Sequence, residues 1–254
     1  MAIDPALRTL LDTEASRINN KSFIADDPVQ FPRRFSDKRD IEAAALLSAT
    51  IAWGNRRMIC RDADRMLSLM ADDPARFILE GAYEAIPDEI NIHRTFFGRN
   101  LKHWCRGLRR VFERYGSVEG LAANIKAGDD PFPAWRLAEG LNAELAAAND
   151  GASDSRCLPV NTDSSALKRL NMALRWLVRS DGIVDLGIWT AIKPSQLFIP
   201  LDVHVSRVAR ELGLLERRSN DKKAVLQLTE ACRALRPDDP AVYDFALFGI
   251  GMKL

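Results

Sequence analysis

Two residues of this chain have the types and placement for covalent chemistry, Lys168 and Asp202. Residues 164–179 read as an amphipathic helix. Leu167, Leu170, Leu174, Leu177 and Val178 line its apolar side, and Lys168, Asn171, Met172, Arg175 and Arg179 share another face. This spacing puts Lys168 in the first turn. The positive end of the helix dipole and the neighbouring arginines disfavour an ammonium there, as an amine nucleophile near neutral pH requires. From 168 to 202 the interval is 34 residues, and Asp202 opens a second helix that ends at Gly213. Aspartate is a favoured N-cap, worth about 1 kcal/mol, and a capping carboxylate that faces a cleft can also accept a proton or stabilise a cation. The plain alternative is a solvated surface lysine and a cap with no further duty.

Other chemistries have less support. His204 follows Asp202 by two residues, but His93 and His103 are distant in sequence and no acidic cluster adjoins, so no metal is expected. Cys60, Cys105, Cys157 and Cys232 are scattered, without the paired spacing of a zinc or iron–sulfur site, and read as buried thiols of a reducing cytoplasm. A net charge of +1 gives no global sign of a nucleic-acid partner, so any such footprint is local. Residues 91–116 hold seven Lys/Arg and one acidic residue. Within them, Leu101, Trp104, Cys105, Leu108, Val111, Phe112 and Tyr115 form a core stripe opposite Arg99, Lys102, Arg106, Arg109 and Arg110. That basic face is a candidate phosphate contact, or an ordinary solvated face. Of five tryptophans, Trp104 belongs to the stripe, while Trp53, in the Ala52-Trp53-Gly54-Asn55-Arg56 turn, is a candidate for base stacking.

The elements that must position these groups are helical almost throughout, which predicts an all-α protein of about ten helices. Helices are expected after a cap at Asp37 or Asp40, over 56–70, after Asp73, over 100–115, from Ser117, and over 134–148, 164–179, 203–212, 221–235 and 239–248. Residues 149–155 read as an exposed loop, and 182–189 and 196–201 as short β-like runs without clean alternation. Met1 to Pro5 lacks the basic-then-apolar order of a signal peptide, and the most apolar window, 43–53, is too short to span a bilayer. A cytoplasmic, membrane-free monomer is expected.

The segments Ser164-Ser165-Ala166-Leu167-Lys168-Arg169 and Ile199-Pro200-Leu201-Asp202-Val203-His204-Val205 resemble a bacterial family of the helix-hairpin-helix DNA glycosylase superfamily. Their spacing is most similar to the archaeal 8-oxoguanine glycosylase branch, and the likeness extends from Lys38 to the C-terminus. It implies two helical lobes with a cleft between them, residues 38–180 forming one and residues 1–37 with 195–254 the other. It further implies a base-excision glycosylase with AP lyase activity, Lys168 as nucleophile, Asp202 as its partner, double-stranded DNA as substrate and no cofactor. Arg99, Lys102, Arg106, Arg109, Ser164, Ser165 and Arg175 are then candidate DNA contacts, and Trp53, Asn171 and Met172 candidates for base recognition. A non-catalytic nucleic-acid-binding protein on the same fold is the alternative. Two departures stand out: the superfamily's Gly-x-Gly turn is replaced by Thr162-Asp163-Ser164-Ser165, and its glutamine after Leu-Ser-Ala is Thr50.

Overall fold

The computed structural model describes residues 4–254, so the leader reading at the N-terminus falls partly on residues outside it. The described residues are all-α apart from one small hairpin. In chain order they form α1 (Pro5–Ile18), α2 (Lys21–Ala25), α3 (Lys38–Thr50), α4 (Arg56–Leu69) and α5 (Pro74–Leu79). The hairpin β1 (Asn91–His93) and β2 (Phe96–Phe97) follows, then α6 (Gly98–Tyr115), α7 (Val118–Asn124) and α8 (Pro133–Ala148). The chain ends with α9 (Lys168–Val178), α10 (Val203–Glu211), α11 (Lys222–Leu235) and α12 (Tyr243–Met252). None of the described helices is long and apolar enough to cross a membrane.

The chain divides into two compact units, Ile24–Thr162 in one and Met1–Phe23 with Asp163–Leu254 in the other. This division differs from the expected lobes: the helix carrying Lys168 belongs with the two termini, and residues 24–37 go with the central helices.

In the unit of residues 24–162, α6 packs against α8 with Gly107 set close against Leu145, and Trp104, Cys105 and Leu108 of the stripe read from the sequence are buried. A glutamate fixes part of this core. Glu42, fully buried on α3, accepts hydrogen bonds from Val118 N (2.7 Å) and Glu119 N (3.0 Å), satisfying the exposed amides at the start of α7. Asp37 caps α3, while Asp40 accepts instead from Ala75 N, so the two aspartates considered for one cap serve two helices. Residues 149–155 form a mostly exposed loop that is tied at both ends. Asn149 Nδ2 donates to His103 O, and Asn100 Nδ2 donates to Asp154.

In the unit of both termini, α12 is the central element and packs on α1 and α10. Nearly every residue from Tyr243 to Leu247 is buried, and Phe23 meets Phe245 and Phe248 edge-on at 5.5 and 6.2 Å. The sequence reading did not foresee α1, whose Leu11, Ala15 and Ile18 recur at helical spacing on the buried side. It is held by Arg8 Nη2 donating to Leu235 O (2.5 Å) and by Tyr243 donating to Asp12 (2.7 Å). Two glycines let the neighbours of α12 approach: a Cβ at Gly249 would lie 2.5 Å from Ile18 Cγ1, and one at Gly251 would lie 3.1 Å from His204 Cβ. Gly249→Ala would gain about 1 kcal/mol of helix propensity but overpack the α1 contact at a cost of about 1–3 kcal/mol. A net loss of stability in urea unfolding is expected, and a gain would contradict this close contact.

The β-like runs at 182–189 and 196–201 are irregular chain, not strands. They are pinned from outside: Leu186 N and Trp189 N donate to Trp176 O and Leu177 O, the orphan carbonyls at the end of α9.

Candidate functional site

Lys168 is the first residue of α9, not the fifth residue of a longer helix. Ser164 and Ser165 therefore lie in the approach loop, and the expected start at 164 is corrected to 168. The reason is local. Leu167 adopts a left-handed conformation (φ +46°, ψ +36°), which ends the loop abruptly and costs a non-glycine residue roughly 1–2 kcal/mol. Ser165 Oγ accepts from Leu167 N (3.2 Å) and Ser164 O accepts from Lys222 N (2.9 Å), so this turn is fastened to the start of α11. A hydroxyl turn and a buried leucine side chain thus hold the bend without a glycine.

Asp202 caps α10. Its Oδ1 accepts from His204 N (2.9 Å) and Val205 N (2.8 Å), and Oδ2 takes no part in the cap. The carboxylate is half-buried, while Val203 beside it is 68% exposed, an unusual placement for an aliphatic residue.

A third residue joins the two, and the sequence reading missed it. Asp244, in the first turn of α12, is buried, and its charge interacts with those of Arg175, Asp202 and Lys168. Burial pushes its carboxyl up to about 6. Arg175 and Lys168 oppose that rise and Asp202 adds to it. Arg175 Nη1 donates to Asp244 Oδ2, Arg175 Nε donates to Asp185 Oδ1 (3.3 Å), and the guanidinium stacks 4.2 Å above the Phe245 ring. Arg179 extends the network to Asp181, Asp185 and Asp239.

Two expectations are corrected here. Arg175 is only 3% exposed and engaged by carboxylates, so it is a buried structural cation and not a DNA contact. Arg175 and Arg179 were also expected to press the Lys168 amine toward its neutral form. Both are paired with aspartates instead.

Asn171, one turn beyond Lys168, is 1% exposed; its Nδ2 donates to Ala166 O, and its Oδ1 is buried without a hydrogen-bond partner. Buried acceptors are rarely left so, which marks Oδ1 as a point where a ligand donor could be received. Met172 is half-buried on the same helix.

The proton on Asp244 has a measurable consequence. Between the ordinary carboxyl value of 3.8 and about 6, the folded chain keeps a proton that the unfolded chain releases. Its stabilising contribution is therefore full below that window and is lost as pH rises through it, roughly 3 kcal/mol in all. Asp244→Asn cannot titrate. The stability of the parent relative to this variant should fall between pH 4 and 6.5, and parallel pH profiles would refute the assignment.

In the other unit, the expected basic face of α6 is corrected. Arg99 pairs with Glu89 (2.8 Å), Lys102 with Asp88 (2.8 Å), Arg106 with Glu84 (2.6 Å) and Arg109 with Glu113 (2.8 Å). Arg110 and Arg114 share Glu144. The partners at 84–89 lie just upstream of the residues that looked unbalanced in sequence, so the face is neutralised within the fold.

Trp53 is half-buried in the turn before α4 and meets the His93 ring edge-on at 4.8 Å. His93 is wholly buried. Its Nε2 donates to Trp53 O (2.9 Å), and a proton lies between its Nδ1 and Asp62 Oδ2 (2.7 Å). Burial alone would raise the Asp62 carboxyl, but hydrogen bonds from His93 and Arg61 outweigh it and hold the group below the ordinary range. The Trp53 turn is thus clamped by a residue that sequence spacing could not connect to it.

Residues 27–253 match the sequence model of the family described as "Protein of unknown function (DUF2400)", and the chain belongs to that family. No curated protein and no solved structure matches it. Among the described residues, no His/Cys/Asp/Glu group could hold a metal, and Cys105, Cys157 and Cys232 are buried thiols.

Proposed function

We propose that this chain is a DNA base-excision glycosylase with AP lyase activity, its two units corresponding to the two lobes of a helix-hairpin-helix glycosylase-like fold. The observation that carries this reading is that Lys168 and Asp202 open two helices of one unit and that the charges of both act on the buried carboxyl of Asp244. An amine at a helix N-terminus and a carboxylate with an oxygen left over from its cap are the two groups such chemistry needs.

In this reading Lys168 Nζ attacks C1′ of a flipped nucleotide as the C1′–N bond to the base breaks. The base leaves with the bonding electrons and takes a proton, and the lysine's proton passes to Asp202. Opening of the C1′–O4′ bond, with a proton to O4′, gives an iminium between C1′ and Nζ. Loss of a C2′ proton then expels the 3′ phosphate and cuts the strand. Extruding the base costs a few kcal/mol, least at a lesion. The orphan Asn171 Oδ1 is a fitting acceptor for a base N–H, and Met172, on the same helix, is a candidate apolar contact. An oxidised purine such as 8-oxoguanine is the substrate suggested by the archaeal likeness.

The test is borohydride reduction in the presence of duplex DNA carrying 8-oxoguanine, an abasic site, or other oxidised and alkylated bases. A covalent protein–DNA adduct is expected with at least one. Absence of an adduct across the panel refutes the lyase, and absence of base release as well refutes the glycosylase.

A further inference from the structure

With the α6 face neutralised, a basic row of the unit of residues 24–162 lies on a different helix. Arg57, Arg61 and Arg65 recur every four residues along α4 and form a single row. Arg61 is 70% exposed. Arg57 is exposed and, among the described residues, has no ion-pair partner.

The tip of the β1–β2 hairpin brings a fourth arginine beside the row. Arg65 Nη2 donates to the carbonyls of Asn91 (2.9 Å) and Ile92 (2.5 Å), and the His93 clamp ties the same strand to Asp62 of α4 and to the Trp53 turn. Arg94 follows, exposed and in the left-handed region (φ +50°), with its guanidinium over Gly54. Gly54 has φ +99°, a conformation that favours glycine, and a Cβ there would lie 2.5 Å from Arg94 Nη1 at the end of that side chain. Arg94, like Arg57, lacks an ion-pair partner among the described residues.

Of the carboxylates near α4, Asp64 is held by Arg34 at 2.7 Å and Asp27 by Arg56 at 3.2 Å, while Asp62, buried against His93, also takes Arg61 at 2.9 Å. Arg94, exposed at the hairpin tip without a carboxylate, holds a left-handed backbone conformation that costs a non-glycine residue about 1–3 kcal/mol.

We infer that Arg57, Arg61 and Arg94 form a binding surface for a nucleic-acid backbone, each guanidinium taking one phosphate. The choice of DNA as partner rests on the function proposed above; the surface itself rests on the charge row and the clamped hairpin. Trp53, whose backbone forms the same turn, lies where a base beside the bound phosphates could meet its ring.

The test is fluorescence anisotropy of a fluorescein-labelled duplex oligonucleotide across a potassium chloride series. For Arg57→Gln/Arg61→Gln/Arg94→Gln, the slope of log affinity against log salt should become shallower by about 2.7, near 0.9 per lost phosphate contact. The pair Arg57→Gln/Arg94→Gln, which breaks no ion pair, should account for about 1.8 of that and guards against a folding defect. Arg99→Gln/Lys102→Gln/Arg106→Gln should leave the slope unchanged. The surface assignment is overturned if the parent fails to bind, if the Arg57/Arg94 pair leaves the slope unaltered, or if polyglutamate binds in preference to DNA, as an acidic protein partner would require. Borohydride trapping on the same samples separates the two ideas. Salt-slope changes without any adduct uphold the surface and sink the lyase; an adduct with an unaltered slope does the reverse.

Discussion

Lys168→Gln is expected to bind duplex DNA like the parent, unfold at the same urea concentration within error, and give no borohydride-trapped adduct. Removing a covalent nucleophile can cost on the order of 10⁶ in turnover, far more than loss of one charge takes from binding. Glutamine keeps much of the lysine stem and a similar helix propensity, so the first turn of α9 should survive. Asp202→Asn sharpens the result. Asparagine caps a helix as well as aspartate does, and its carbonyl oxygen can accept the same two amide hydrogen bonds that Asp202 Oδ1 accepts from His204 and Val205. A purely structural Asp202 would therefore lose almost nothing in this variant. A proton acceptor should lose about 10²–10⁴ in rate with stability unchanged. An adduct that persists in Lys168→Gln would move the nucleophile elsewhere and remove the basis for the pairing with Asp202.

The helices were largely legible because their signals are local. The stripe of α6, the start of α5 after Asp73 and the caps at Asp37 and Asp202 all sit within a turn of what they control. The start of α9 was misplaced because nothing in Ser165-Ala166-Leu167 announces a left-handed leucine; the bend is enforced by the fastening of Ser164 to Lys222, a contact made by folding. The candidate site was legible in the same uneven way. Lys168 and Asp202 have recognisable local surroundings. Asp244 does not, since its importance comes from Arg175, 69 residues earlier in the chain. Charge was the least legible property. A window around α6 counted seven cations without the carboxylates at 84–89, whereas the short arginine row of α4 stood out only once Asp64 and Asp27 had found their partners.

Arg175→Met should be the most destabilising single substitution near the site, by about 3–5 kcal/mol at neutral pH. Methionine fills similar volume and can still pack on Phe245, so the loss is not mainly one of packing. It comes from Asp244 and Asp185, two buried carboxyls left without the guanidinium between them. Burial already pushes both upward; without Arg175 each would hold its proton to still higher pH. The defect should consequently be large at pH 8 and shrink at pH 5, where Asp244 is protonated in any case. Adding Asp244→Asn to Arg175→Met should restore part of the loss at pH 8 and little at pH 5, a coupling measurable by a double-mutant cycle in urea. A cost of the same size at both pH values would mean that Arg175 acts through shape rather than charge. The pairing matters beyond stability, because the carboxyl it holds in α12 is the one whose charge reaches both Lys168 and Asp202. Weakening it should disturb the proposed nucleophile and its partner together, so the trapping yield of Arg175→Met should fall even where the protein remains folded.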